Sequence, residues 1–514
     1  MLDFLKPNKE NNIVEENTQN LKRNLKEDIK ILKQRFNVPT NVDFVGREIY
    51  NKQLQKKVFV CFLKGMVNTD QIMNHIIHPL IKDDTTIKDI KEHNLNVEDL
   101  IMGKNLKKIS DIKKISESIL KGYTIVIVDG EKQALSYETT RFEHRAIGKP
   151  VRENVIKGPQ EAFVESIQMN KSLIRKQLRS ENLVSESLDI GVRSTSSVTM
   201  MYVRDIVDPE LIEETKKRIN EINSESVQSI EILEQHLEDR SYSIVPSFLY
   251  TERPDVANAF LMEGHIILLM DSSSDCLVLP VTFWSIFHTA EDMYQRWPYG
   301  NFLRVIRMLA ILFASLTPAL YIAITQFHQE MMPPDLLLAI TATRERVPFP
   351  ALIEVLLMEL SFEILREAGV RVPTPLGTTI GIIGALILGQ AAVQANVVSP
   401  ILVIIIALTG LSSYAIQDNS LNFMVRISRY GFLLLASIFG SFGIAIGITI
   451  AVSYLATFKS FGVPFFAPLS PHYKSSGDTE FRKPIWKQWL RPQHVFPKDD
   501  VRRQPVKRSG DEND

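Results

Sequence analysis

The residues of this sequence best placed to do chemistry are carboxylates in an apolar setting. Residues 348–368 have helical character and are mostly apolar, yet they carry Glu354, Glu359, Glu363 and Glu367. Glu359 and Glu363 are four apart and share one helix face, with Val355 and Leu356 above them and Arg366 below; Glu354 falls on a different face. A carboxylate at bilayer depth is costly and is retained where it faces a bundle interior or a wet cavity. Glu359 and Glu363 are therefore the first candidates for an ion pathway, and Glu354 the second. An interfacial helix whose acids are solvated, or paired with Arg344, Arg346, Arg366 or Arg371, fits the same pattern. Both readings stand at this point.

Other chemistry is not in sight. The sequence holds no Gly-rich phosphate loop, no His-Glu-x-x-His zinc motif and no Gly-x-Ser-x-Gly elbow. His288 and His328 stand alone, and the Ser/Thr cluster at residues 194–197 suits a loop better than a nucleophile. Cys61 and Cys276 are the two cysteines, read as buried thiols rather than a disulfide framework or a metal site. No cofactor, no metal and no enzymatic activity are expected. A formal net charge of -1 argues against a nucleic-acid partner, which needs a basic surface.

The elements that must hold the carboxylates are membrane spans. A crossing helix needs about 20 mostly apolar residues. Residues 308–327 are uncharged and follow Arg304 and Arg307. Residues 376–416 are about twice the required length, with Asn396, Ser399 and Pro400 near the middle, and so read as a hairpin of two spans. Residues 430–458 form a further long span. The count is four, or five if 348–368 crosses; the charged tail then lies inside or outside respectively. Gly377/Gly381 and Gly443/Gly447 have the four-residue spacing that lets helices approach closely, and Gln390 and Gln394 put two amides on one face. These are candidate packing residues, within one chain or between subunits.

The first half is different. Charged residues are dense over 1–255, and the pattern repeats. Residues 58–68 line up with 198–208, each an apolar strand-like run, a Lys or Arg, a turn and then a helix. Residues 120–129 line up with 262–271, each with a Gly before a β-rich run and an Asp (Asp129, Asp271) opening a turn. The fold expected is an α/β soluble N-terminal half of two similar subdomains, followed by an α-helical transmembrane bundle. The divisions expected are a charged amphipathic arm (1–40), the subdomains (41–150 and 151–295), the helical domain (296–460) and a charged tail without fixed structure (461–514). The N-terminus has no apolar leader-like run, so the soluble half is expected on the cytosolic side.

Residues 251–255 (TERPD), 289–296 (TAEDMYQR), 348–371 and 389–400 (GQAAVQANVVSP), in that order, resemble the A subunits of the GerA family of bacterial spore germination proteins, over about residues 45–465. The resemblance implies a nutrient germinant receptor in the inner membrane of the dormant spore. It also implies partners: a transporter-like B subunit that binds the nutrient and a lipoprotein C subunit. The A subunit would oligomerise around a pore that releases monovalent cations, with its soluble half facing the spore core. Some A-like relatives amplify ion release without sensing a nutrient. A secondary transporter and a non-conducting membrane scaffold are the rival classes. The first is disfavoured because the duplication lies outside the spans.

Overall fold

A computed structural model describes residues 20–81, 97–101, 106–141, 148–371, 389–473 and 478–502. The chain divides into two compact units. One comprises residues 1–149, 161–233 and 251–276; the other comprises 150–160, 234–250 and 277–514.

Two sheets carry the repeat. Strands β1 (Phe44–Asn51), β2 (Lys56–Leu63), β3 (Leu106–Ile109), β4 (Tyr123–Val128) and β5 (Ala134–Glu138) form a sheet in the order β1-β2-β4-β5-β3. Strands β6 (Leu183–Ile190), β7 (Ser196–Val203), β8 (Leu249–Thr251), β9 (Ile266–Met270) and β10 (Cys276–Leu279) form a second sheet in the matching order β6-β7-β9-β10-β8. The inner strands β2, β4, β7 and β9 are apolar and almost wholly buried, as two covered faces require, whereas the edge strands β1, β3 and β6 expose polar residues at their centres.

The aligned aspartates do the same job in each copy. Helix α1 (Leu25–Arg35) starts where the Leu25 N–H donates to Asp129 Oδ1 at 3.3 Å. Ahead of the second sheet, α2 (Ile167–Gln177) starts where the Ile167 N–H donates to Asp271 Oδ1 at 2.9 Å. A carboxylate at a helix start satisfies an otherwise unpaired donor and complements the helix dipole. The arm expected at 1–40 thus includes α1, whose Leu25, Ile29 and Leu32 join the core beneath the first sheet with Phe59, Cys61 and Ile127. A buried ion cluster lies between the copies. Lys171 Nζ and Arg175 Nε, both on α2, donate to Asp43 at 2.7 and 2.9 Å. Burial alone would raise the Asp43 carboxyl, but the two cations hold it below its ordinary value.

The second unit is mostly helical. Helix α3 (Phe283–Phe287) and α4 (Ala290–Tyr294) lead into α5 (Trp297–Ile322), which continues as a π-helical turn (Ala323–Phe327). Then follow α6 (Pro334–Arg344), α7 (Ala351–Arg371), α8 (Pro400–Tyr414), α9 (Asn419–Phe439) and α10 (Ser441–Thr457). Among the described residues, Trp297–Phe327 and Asn419–Phe439 are long and apolar enough to cross a bilayer, and Pro400–Tyr414 and Ser441–Thr457 are shorter apolar helices. Gly377, Gly381 and the first leg of the expected hairpin as far as residue 388 lie outside the described residues, and residues 389–394 are helical. Its second leg is α8, opened by Ser399 as N-cap and Pro400 at the first turn.

One expected element is corrected. Residues 430–458 are not a single span. Gly440, at φ 61° and ψ -139°, ends α9 and starts α10. A side chain is strained in that backbone conformation, and a Cβ there would sit 2.9 Å from Phe327. The chain therefore turns beside the end of the first long helix. It comes back to the segment that opens α3: the Val281 N–H donates to Ser460 Oγ at 3.1 Å, and Phe465 packs edge-on against both Phe283 and Phe458.

Candidate functional site

The candidate site is the set of charges enclosed by these helices. Glu354 is fully buried near the start of α7. Its Oε1 accepts the Ser399 N–H at 2.5 Å, and its Oε2 lies 3.6 Å from Arg344 Nε. One carboxylate thereby ties the ends of α6 and α7 to the start of α8. Around it Tyr321, Ile322, Val355, Met358, Val398 and Leu402 form an apolar cluster.

Glu359 and Glu363 do share a face, and that face meets α9. Glu359, 1% exposed, pairs with Arg429 at 3.1 Å. Glu363 accepts Arg429 Nη2 at 2.9 Å and Arg426 Nε at 3.1 Å, with a second, shorter contact from Arg426 Nη2. Two carboxylates and two guanidiniums make a neutral group between antiparallel helices. Glu359 to Glu363 is one turn along α7 and Arg429 to Arg426 one turn back along α9, so the Arg429 guanidinium donates to both acids. Arg366 stands apart: its Nη2 donates to Ser413 Oγ at 2.7 Å, and its guanidinium lies over the Tyr414 ring. Glu367 pairs with Arg371 in the open. Of the four arginines expected as partners, Arg344 serves Glu354 and Arg371 serves Glu367. Glu359 and Glu363 instead use Arg426 and Arg429 on α9, which were not among the expected partners.

The helix directions follow from these contacts. Glu354 meets Ser399 and Arg366 meets Ser413, so α7 and α8 run parallel. Glu359 meets Arg429 and Glu363 meets Arg426, so α7 and α9 run antiparallel. Gly443 and Gly447 pack α10 on α9 within the chain: a Cβ on Gly443 would fall 2.0 Å from the Leu435 carbonyl oxygen, and one on Gly447 2.8 Å from the Phe432 ring. Gln390 and Gln394 are both exposed.

A second charged group, which the sequence reading missed, lies at the start of α5. Thr289 and Asp292 form a capping box on α4. The Asp292 carboxylate, fully buried, accepts Arg307 at 3.0 and 3.1 Å and Arg304 Nε at 3.3 Å. Arg304 Nη1 reaches on to Asp478 Oδ1 at 2.6 Å. Burial would raise Asp292, but the Arg307 and Arg304 contacts hold it below its ordinary value. His288 donates from Nε2 to the Thr479 carbonyl at 2.6 Å, and burial beside Arg304 lowers it to about 4. The expected unstructured tail is therefore corrected for its described residues. Residues 478–482 are fastened to α5, where the Arg482 backbone exchanges hydrogen bonds with the Asn301 side chain at 2.8 and 3.1 Å. Farther on, Leu490 bridges Val501 around a buried Arg491. The signal available was the Thr-x-x-Asp box followed by Arg304 and Arg307, three apart. Among the described residues no group of three or more His, Cys, Asp or Glu side chains is arranged to hold a metal ion.

Among the described residues these two groups hold buried carboxylates matched by guanidiniums. The family described as Bacillus/Clostridium GerA spore germination protein matches residues 30–494. The chain is 36% identical to Spore germination protein KA of Bacillus subtilis (strain 168), covering 90% of this chain and 86% of that one. It is 34% identical to Spore germination protein GerLA of Bacillus cereus, covering 94% and 97%. It is 36% identical to the uncharacterized membrane protein YfkQ of Bacillus subtilis (strain 168), covering 84% of each. Among solved structures, the N-terminal domain of the A subunit of the Bacillus megaterium spore germinant receptor GerK3 matches 52% of this chain and 98% of that one, at 24% identity and a TM-score of 0.39. With a family match across most of its length and relatives above 30% identity end to end, the chain belongs to the GerA family of spore germination proteins.

Proposed function

We propose that this chain is the A subunit of a germinant receptor complex. In this reading it is an oligomeric, pore-forming component that releases monovalent cations when a nutrient is sensed, and so starts germination. It works in the spore inner membrane with a transporter-like B subunit and a lipoprotein C subunit, and its α/β half faces the spore core. The observation that carries the reading is the group formed by Glu359, Glu363, Arg426 and Arg429 among apolar helices. Charge is costly inside a bilayer and is kept where it functions. In the arrangement described here each carboxylate is matched by a guanidinium. A shift of α7 along α9 would unpair them and expose negative charge to a cation path. Glu354, tied to Ser399, would sense the same movement from the α8 side.

Two further features support the reading. The exposed amides of Gln390 and Gln394 suit a neighbouring copy or a wet lumen better than lipid. The return of the chain after α10 to the start of α5 supports an even number of crossings, with the tail on the side from which α5 enters. The matched charges would also suit a non-conducting scaffold, and one experiment separates the two. In spores carrying Glu359→Gln and Glu363→Gln, germinant-triggered potassium release is expected to fall while the protein stays at its normal level in the membrane. Unchanged release would remove these residues from the pathway.

A further inference from the structure

The Asp292–Arg304–Asp478 group raises the question of what the fastened tail is for, and the residues just after the clamp answer it. Phe481 and Ile485 are each 57% exposed, and Trp486 and Trp489 keep a little over a third of their surface exposed. Lys483 and Lys487 are exposed between them. We infer that residues 481–489 form a membrane-surface anchor, seated at the headgroup level of an anionic lipid leaflet and held there by the Arg482 clamp.

Three observations fix the occupant. The first is composition in space. Trp and Phe interleaved with Lys match the boundary between hydrocarbon and headgroups, where an aromatic body meets apolar chains and an ammonium meets phosphate. The second is depth. Arg482 is tied by its backbone to Asn301 and by its carbonyl to the Trp297 indole N–H, and its Nη1 donates to the Met293 carbonyl at 2.8 Å. Trp297 and Asn301 lie in the first turns of α5, the longest apolar helix among the described residues. The uncharged run of that helix begins at residue 308, about 10 Å beyond Asn301, so the segment sits at the headgroup level outside the hydrocarbon. The third is continuity. Trp297, Tyr299 and Phe302 of α5 are also exposed, so the aromatic surface of the tail extends one already presented by the helix. Asp499 is held by Arg491 at 2.7 Å, and against the one exposed acid beside the segment, Glu480, stand the exposed Lys483 and Lys487.

The inference rests on α5 crossing the bilayer, and its test keeps the two claims apart. The full-length chain is reconstituted in phosphatidylcholine vesicles with and without an equal amount of phosphatidylglycerol. Tryptophan emission is quenched by lipid carrying a nitroxide near the headgroup, and Trp297→Phe, Trp486→Phe and Trp489→Phe variants assign the signal by subtraction. Trp486 and Trp489 are expected to be quenched by the shallow label and shielded from aqueous iodide, most strongly with phosphatidylglycerol. Replacing Lys483 and Lys487 with Gln is expected to lower the seated-to-free ratio of the segment by roughly 30-fold in anionic vesicles. If Trp297 is quenched while Trp486 and Trp489 stay open to iodide, the anchor is wrong and the span stands. If Trp297 also escapes the lipid label, the span fails and the anchor with it. Shielding that arises solely on adding other receptor subunits would assign the surface to a protein and overturn the lipid reading.

Discussion

Replacing Arg429 with Gln strips Glu359 of the ion pair that neutralises it. Glu359 is 1% exposed and Arg429 2% exposed, and the same Arg429 nitrogen serves both Glu359 and Glu363. Removing one partner of a buried pair typically costs about 3–5 kcal/mol, because the remaining charge is left without compensation. Arg426→Gln is the comparison. Glu363 would keep Arg429, and its side chain is 17% exposed, so the loss is nearer that of a charge-assisted hydrogen bond, about 1.5–3 kcal/mol. The assay is unfolding of the full chain in mixed micelles as the fraction of denaturing detergent rises, followed by circular dichroism. The double variant Glu359→Gln with Arg429→Gln completes a cycle whose coupling is expected at about 1–3 kcal/mol. Equal costs for Arg429→Gln and Arg426→Gln, or a coupling of zero, would refute the assignment of Arg429 as the shared counter-charge.

Other perturbations follow from the same contacts. Gly443→Ala places a methyl 2.0 Å from the Leu435 carbonyl and is expected to cost about 1–3 kcal/mol by forcing α9 and α10 apart. Gly431→Ala on α9 meets nothing within 4 Å and should be neutral or stabilising in the same assay. His288 has a folded value of about 4 against an ordinary 6.5, so its contribution is intact above pH 6.5 and is lost as the pH falls toward 4. Asp292, held below its ordinary 3.8, keeps its own contribution across that window. Melting of the wild-type chain should therefore decline from pH 6.5 to 4 more steeply than that of His288→Gln; parallel curves would contradict the buried neutral imidazole.

What the sequence disclosed depended on whether the signal was local. The duplication was legible because its copies keep the same punctuation: a Gly before a strand and an Asp after it, with Asp129 and Asp271 each found starting a helix. The apolar helices were legible because charge is absent over long runs. Gly440 was not, since nothing in the one-dimensional pattern distinguishes a glycine at positive φ from Gly443, which serves packing. The partners of Glu359 and Glu363 lie more than sixty residues away on another helix, and Arg426 and Arg429 read equally well as topology signals. The tail was misjudged for a related reason. Its Lys, Arg, Asp and Pro content has no period, but Asp478 and Arg482 are ordered by partners about 180 residues upstream, which composition does not register.

In the proposed function this chain forms a cation path together with its own copies. The direct measurement is current across a planar bilayer containing the purified full-length chain, with its oligomer size taken in detergent. The expected result is a current carried by potassium and sodium in preference to chloride, reduced in the Glu359→Gln, Glu363→Gln variant. An intact oligomer that leaves the bilayer electrically silent, alone and with germinant and the other receptor subunits present, would contradict it.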